Sequence, residues 1–372
     1  MKYYLIAGEA SGDLHGSNLM KGLKMVDPNP EFRFWGGDLM LEQGGTLIKH
    51  YRETAIMGFV EVLANIHKIK GFFKLCKKDI LEYNPDVVIL IDYPGFNLRM
   101  AEFVKSSGYK VFYYISPKIW AWKESRIKKI KAFVDKMFVI FPFEVDYFKK
   151  FDYPVEFAGN PLLDAVNEKL IEKSSIDDFI QRNSLENKPI IGILAGSRKQ
   201  EIERNLGIML QVIPQYSNYQ FVLAAAPSIE PDFYRKYIYG HQVKVVFGQT
   251  YDTLKFSTAA LVTSGTATLE TALFNVPQVV CYRAGNLSYF IAKRFVKVKY
   301  ISLVNLIMNK EVVKELIQFD MTPKKVTEEL NKILPNTNYR TEMLKNYSEL
   351  QVILGGTGAS ERVAKRVYSY LV

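Results

Sequence analysis

Asp92 follows the wholly apolar run Val87–Ile91 and opens the turn Asp92-Tyr93-Pro94-Gly95. A carboxylate at the carboxyl edge of a buried strand, held by a Pro-Gly turn, is placed to take a proton from a sugar hydroxyl. The same position suits an Asp that caps a helix starting near Gly95, and spacing leaves both readings standing. A second candidate follows the apolar run Tyr3–Ala7: the turn Gly8-Glu9-Ala10-Ser11-Gly12-Asp13-Leu14-His15-Gly16. Free backbone N–H groups and a helix dipole there suit a phosphate or a polar sugar. The spacing is not G-x-G-x-x-G, and Glu9 repels a pyrophosphate set beside it. A dinucleotide is disfavoured, and Glu9, Ser11 and Gly12 become candidates for an acceptor site. The alternative is a tight strand–helix turn capped by Ser11 or Asp13.

The second half of the chain has two loops of the same kind. In Leu194-Ala195-Gly196-Ser197-Arg198-Lys199, a Gly turn leads into a helix start. Arg198 can grip a phosphate with two parallel hydrogen bonds and offset charge on a leaving group. In Thr263-Ser264-Gly265-Thr266-Ala267-Thr268-Leu269-Glu270, residues Ser264 to Ala267 can offer donors to a diphosphate. Glu270 lies one helical turn beyond Thr266, where a carboxylate can accept from a ribose diol. No Lys follows Gly265, so this is no P-loop. A Thr-capped helix with a solvated Glu is the competing reading. The 4 histidines and the acids show no metal-ligand spacing, so no metal or other cofactor is expected in the chemistry.

These residues need strands to place them. Short apolar runs alternate with helical-period segments throughout, the pattern of α/β folds with parallel sheets and crossover helices. Strands are expected at Tyr3–Ala7, Phe32–Trp35, Val87–Ile91, Val111–Tyr114, Met137–Ile140 and Val155–Phe157. A second set follows at Ile190–Leu194, Tyr219–Leu223, Val243–Val246, Ala260–Val262 and Gln278–Cys281. Polar Glu168–Lys188 reads as a surface helix and linker, and everything from Val312 on reads as helical. With 372 residues against a prior of roughly 150 per domain, two domains are expected. They are two Rossmann-like doubly wound domains facing a cleft: residues 1–165, joined by a returning C-terminal helix in 356–372, and residues 185–350.

Composition narrows the partners. Lys plus Arg minus Asp plus Glu is 49 − 39, a surplus of +10 that calls for an anionic partner. The 2 cysteines cannot staple a chain this long, which argues for a reducing compartment. No secretory signal or membrane span is legible, so a cytoplasmic protein or one held at a membrane surface is expected. Residues 66–78 carry five lysines and no acid: Lys68, Lys70, Lys74, Lys77 and Lys78, interleaved with Phe72 and Phe73. Such a helix can lie on an anionic bilayer with aromatics dipping in, or simply pack one face on a sheet. The apolar stretch Ile56–Val60 and the basic run Lys118–Lys136, with Trp120 and Trp122, could widen that face. No nucleic-acid partner is expected, because RNP, KH and helix-turn-helix signatures are missing.

In order, the loops resemble the landmarks of bacterial lipid-A-disaccharide synthases. The resemblance rests on Ala7–Asp13, Met57–Val62, Ile91–Asn97, Ile115–Trp122, Phe141–Glu144 and Gly159–Leu162. It continues through Gly196–Arg198, Ser264–Glu270, Tyr282-Arg283 and Ser302–Asn305. It implies a GT-B glycosyltransferase that joins UDP-2,3-diacylglucosamine to 2,3-diacylglucosamine 1-phosphate, releasing UDP and forming a β-1,6 disaccharide. Both substrates are acylated, so the enzyme would sit on the cytoplasmic face of the anionic inner membrane. By position, Asp92 is the base, Asn97 belongs to the acceptor side, Arg198, Arg283 and Asn305 contact substrate, and Glu270 takes the ribose. Gly95 stands where some relatives carry a second acid, which leaves Asp92 alone. Readings within the same fold are a UDP-N-acetylglucosamine 2-epimerase-like or peptidoglycan-type enzyme.

Overall fold

The computed structural model describes residues 1–54, 66–121, 123–285 and 299–372, so the motif Met57–Val62 and Trp122 lie outside the described residues. The chain forms two units: Met1–Ala165 with Leu354–Val372, and Val166–Ile353.

In the first unit the strands are β1 (Lys2–Ala7), β2 (Glu31–Gly36), β3 (Thr46–His50), β4 (Val87–Ile91), β5 (Lys110–Tyr114), β6 (Lys136–Val139) and β7 (Glu156–Phe157). Among the described residues they make a parallel sheet in the order β3-β2-β1-β4-β5-β6-β7. Alternate residues of one strand serve opposite cores. Tyr3, Leu5 and Ala7 pack with Leu19, Leu23 and Val363, while Tyr4 and Ile6 pack with Ile80, Met100 and Val104. That is why β4 can be apolar throughout: both of its faces are covered.

The chain's last helix, Ala359–Ser369, covers the same face as the helix Ala10–Val26. A Cβ on Gly22 would lie 2.9 Å from the Ala364 Cβ, so glycine lets the two helices meet closely. The Asp164 carboxylate accepts from the Gly358 and Ser360 N–H groups at the start of that last helix, the latter at 3.0 Å. Negative charge is favourable at such an end. Arg362 Nε donates to the Ala158 carbonyl at 2.7 Å, tying the returning segment down.

The second unit holds β8 (Ile190–Leu194), β9 (Gln220–Ala225), β10 (Val243–Phe247), β11 (Ser257–Val262), β12 (Gln278–Tyr282) and β13 (Lys314–Ile317). Their order is β10-β9-β8-β11-β12-β13, again parallel. Residues 166–184 belong to this unit: the helix Ile176–Arg182, capped by Ser175, buries Phe179 against Ile190, Val222 and Val246.

Two strands escape the sequence pattern. Both β3 and β13 are edge strands, mostly half-buried, so their residues do not read as a continuous apolar run. The second corrects the expectation of helix from Val312 on: Lys314–Ile317 is strand, and helices follow at Pro323–Ile333, Asn338–Ile353 and Ala359–Ser369.

Candidate active site

In each sheet the strand order reverses once, between β1 and β4 and between β8 and β11. Ligands of open α/β sheets sit outside the carboxyl ends of the strands at such points. The four loops singled out from sequence leave these four strands.

At the first reversal, Asp92 and Tyr93 adopt consecutive left-handed backbones, with φ of 44° and 47°. Two such residues in a row are costly outside glycine and need support. Asn97 supplies it. Its side chain is fully buried, and Nδ2 donates to the carbonyls of Asp92 at 2.8 Å, Ile91 at 3.2 Å and Ile6 at 3.3 Å. The Tyr113 hydroxyl adds a 2.6 Å bond to the Asp92 carbonyl. The helix Pro94–Ser106 begins at Tyr93 with no side-chain cap, so Asp92 is not its cap and its carboxylate is left for other work. Burial pushes that carboxyl up to about 6; Lys118 pulls it down, Glu9 pushes it further up, and the Tyr93 N–H favours the anion.

The neighbouring turn approaches closely. A Cβ on Gly8 would lie 2.4 Å from the Tyr93 ring, so only glycine fits beneath it. Glu9, Ala10 and Ser11 are exposed at the start of the helix Ala10–Val26, whose first N–H groups receive no side-chain cap. Gly12 is buried against Ala7. Asp13 caps a different element: its carboxylate accepts from the N–H groups of Gly37, Leu39 and Met40 at 2.7, 3.1 and 3.1 Å.

At the second reversal, Gly196 has φ 118° and Gly265 has φ 150°. The Gly196 turn packs on Glu201, whose Oε2 accepts the Ser197 N–H at 3.1 Å. Arg198 is largely exposed, with Nη1 3.9 Å from Glu201 Oε1. The helices Lys199–Leu210 and Thr266–Leu273 start at Arg198 and Gly265 without side-chain caps, so both present open N–H groups. An anion is the natural partner for such a pair. Ser264 Oγ donates to the Ile301 carbonyl at 2.8 Å. Glu270 is half-buried and accepts the Tyr251 hydroxyl at 3.0 Å; burial raises its carboxyl above the usual range and the Tyr251 bond lowers it. It is therefore no solvated helix Glu.

The sequence model of the family described as Lipid-A-disaccharide synthetase matches residues 3–364. The chain belongs to this family. It is 37% identical over 371 residues to the lipid-A-disaccharide synthase of Trichlorobacter lovleyi, covering 98% of the chain and 96% of the relative. The Coxiella burnetii enzyme of the same name is also 37% identical, with 99% and 98% covered. Among solved structures, the UDP-GlcNAc 2-epimerase of Neisseria meningitidis bound to UDP-GlcNAc superposes with TM-score 0.72 at 13% identity, covering 99% of this chain and 100% of that one. A glycosyltransferase of Rickettsia africae gives 0.62 at 12%, covering 100% and 98%. Those likenesses show the GT-B fold. The family shows the activity: this lipid-A-disaccharide synthetase family member is a glycosyltransferase, and the epimerase-like and peptidoglycan-type readings give way to it.

Within the family's landmarks, two residues that the resemblance places against substrate also hold backbone. Asn305 is fully buried, accepts the Val312 and Val313 N–H groups at 2.8 and 3.0 Å, and donates to the Val313 carbonyl and Glu315 at 2.8 and 2.9 Å. Arg283 donates from Nε to the Gln318 carbonyl at 3.0 Å, and its N–H to Asn205 Oδ1 at 2.7 Å. Ser116 and Trp120 of one landmark both donate to Glu144 of another, so those motifs are one assembly. Sequence reasoning passed over Tyr251 and gave Glu144 a place in a landmark but no partner; only long-range pairing reveals what they hold.

The basic helix of the family member, Ile66–Tyr83, is oriented by its aromatics. Phe73 stacks on Phe96 at 4.4 Å and Phe72 meets Trp35 edge-on at 6.2 Å, so both turn inward instead of outward to a bilayer. Lys68, Lys70, Lys74 and Lys78 are exposed beside Leu75, and Lys77 lies 4.7 Å from the Phe103 ring. Trp120 is likewise directed inward, onto Phe141, Phe143 and Glu144. Among the described residues no helix is long and apolar enough to cross a membrane, and no three His, Cys, Asp or Glu side chains gather as a metal site.

Proposed function

We propose that this glycosyltransferase moves the sugar of UDP-2,3-diacylglucosamine onto the 6-hydroxyl of 2,3-diacylglucosamine 1-phosphate, inverting the anomeric centre in one displacement. The observation that carries the reading is the pair of chemically different switch points: a half-buried carboxylate on a left-handed turn in one unit, two uncapped helix starts with an arginine in the other. Asp92 takes the hydroxyl proton as the new C–O bond forms, and UDP leaves with the electron pair of the broken bond. Gly196, Ser197, Arg198 and Ser264–Ala267 meet the charge that builds on the diphosphate, and Glu270 takes the ribose. The solved relative carrying UDP-GlcNAc on this fold supports a UDP-sugar donor.

No metal is required in this scheme, because a guanidinium and two helix dipoles supply the positive charge; EDTA should leave turnover unchanged. The acylated substrates place the enzyme on the cytoplasmic face of the inner membrane. Outward Lys68, Lys70, Lys74 and Lys78 meet anionic headgroups, with Leu75 rather than Phe72 or Phe73 as the apolar contact. Mass spectrometry of the product formed from the two acylated substrates tests the reaction. A disaccharide 1-phosphate carrying four acyl chains is expected; recovery of an epimerised UDP-sugar instead sinks the reading.

A further inference from the structure

The helices Ile66–Tyr83 and Pro94–Ser106 meet where Phe73 stacks on Phe96 at 4.4 Å, and Phe96 stacks in turn on Tyr93 at 5.6 Å. Beside that stack they leave a groove of about 350 Å³, lined by Phe73, Lys77, Arg99, Glu102, Phe103 and Ser106. Helical spacing explains the lining: Phe73 and Lys77 are i and i+4 on one helix, and Arg99, Phe103 and Ser106 follow one face of the other. Each helix sends a cation onto a ring of its neighbour. Lys77 Nζ lies 4.7 Å from the Phe103 centroid, and Arg99 Cζ lies 5.8 Å from that of Phe73.

The rings hold these cations without cancelling them, because a ring face attracts through its quadrupole and carries no net charge. Among the described residues neither cation forms an ion pair. The three acids of the two helices are engaged elsewhere: Glu102 with Lys129 at 2.8 Å, Glu82 with Lys78 at 3.4 Å, and Asp79 with Arg33. Lys77 is half-buried, and a cation withdrawn from water gains most from an anion at contact distance. Two such charges between aromatic walls suit a phosphate ester.

The surroundings of the groove indicate what carries that phosphate. Lys74 and Lys70 stand one and two turns before Lys77 on the same stripe, both exposed, and Leu75 and Leu81 are exposed on the same helix. Basic side chains around exposed leucines fit the headgroup layer of an anionic bilayer. The acceptor sugar's own phosphate is a poorer fit. At about 1.5 Å of rise per residue, Phe103 lies roughly 15 Å along the helix from Tyr93, farther than one sugar ring reaches.

We propose that this groove holds the phosphate headgroup of an anionic membrane lipid, gripped by Lys77 and Arg99, so that one bound lipid orients the helix that begins at the Asp92 turn. The proposal rests on the reading that this face of the protein meets a membrane. Its test is flotation with vesicles of phosphatidylcholine, with and without phosphatidylglycerol. Wild type should float with the phosphatidylglycerol vesicles alone. Lys77→Gln combined with Arg99→Gln should weaken that binding by about tenfold or more. Ser106→Trp separates a groove from diffuse charge: it fills the groove from an exposed helix end and keeps every charge. It should weaken binding by about fivefold or more, even though an added Trp by itself favours a membrane surface. Should the double variant not fold, Ser106→Trp decides.

Unchanged or stronger binding in Ser106→Trp leaves only diffuse charge and overturns the proposal, as does equal flotation with phosphatidylcholine alone. Equal flotation of the double variant also overturns it; if inorganic phosphate then raises the melting temperature of wild type alone, the groove takes a soluble phosphate instead. Wild type that floats with neither vesicle overturns the membrane reading itself.

Discussion

The buried amide of Asn97 donates to the main-chain carbonyl of Asp92 at 2.8 Å, so a side chain that never meets solvent sets the turn that carries the proposed base. Two more carbonyls, of Ile91 and Ile6, depend on the same nitrogen. The amide thus links β1 to β4 where the sheet reverses, and it holds two left-handed residues that would otherwise relax.

Asn97→Ala should cost stability, because buried carbonyls lose their donor. About 1–3 kcal/mol is expected for orphaned buried acceptors. Urea unfolding followed by circular dichroism measures it. Turnover should fall further than the stability loss explains, and a variant with wild-type kcat would show that the turn needs no such support.

Asp92→Asn keeps the shape and removes the proposed base. Turnover should drop by about two to four orders of magnitude, the range for losing a general base. A matched assay on the two acylated substrates, with the melting temperature as a control for folding, is sufficient.

The pH dependence has a definite sign. Asp92 titrates about 6 in the folded chain and at 3.8 when unexposed to these surroundings. Between those values the folded state binds the extra proton, so this group makes the protein less stable as pH rises through 6. Activity should run the opposite way and fall as the proposed base is protonated below about pH 6. Thermal melts at pH 5 and 8 should therefore show a smaller difference in Asp92→Asn than in wild type, with the variant gaining stability at pH 8.

Arg198 is mostly exposed, so its loss should spare the fold. Arg198→Lys and Arg198→Ala should each weaken kcat/KM for the donor by about tenfold to a thousandfold, since an ammonium cannot replace the planar fork on a phosphate. Calorimetry with UDP reports the binding part. Full rescue by Lys would mean that only charge matters at this position.

Asn305→Ala should behave as a scaffold lesion. With four partners lost inside the fold, a cost of about 2–4 kcal/mol is expected. The donor KM of the folded fraction should change little. A stable variant with a raised KM would show Asn305 to be a substrate contact.

Much of this protein is determined locally. Val87–Ile91 and Ile190–Leu194 must be strands buried on both faces, because no other placement shelters such unbroken apolar runs. Glycine turns after strands mark where ligands can be held, because backbone N–H groups there have no partner in sequence. Half-buried edges such as Thr46–His50 and Lys314–Ile317 carry no such pattern, so only pairing with a neighbouring strand defines them. Tertiary structure alone decided the roles. It made Tyr93, not Asp92, the start of its helix, sent Asp13 to cap N–H groups 24 or more residues away, and turned Phe72 and Phe73 onto Trp35 and Phe96. It also made Glu144 the shared acceptor for Ser116 and Trp120. A residue type states which bonds a side chain can make; which it does make depends on partners that the chain delivers only by folding.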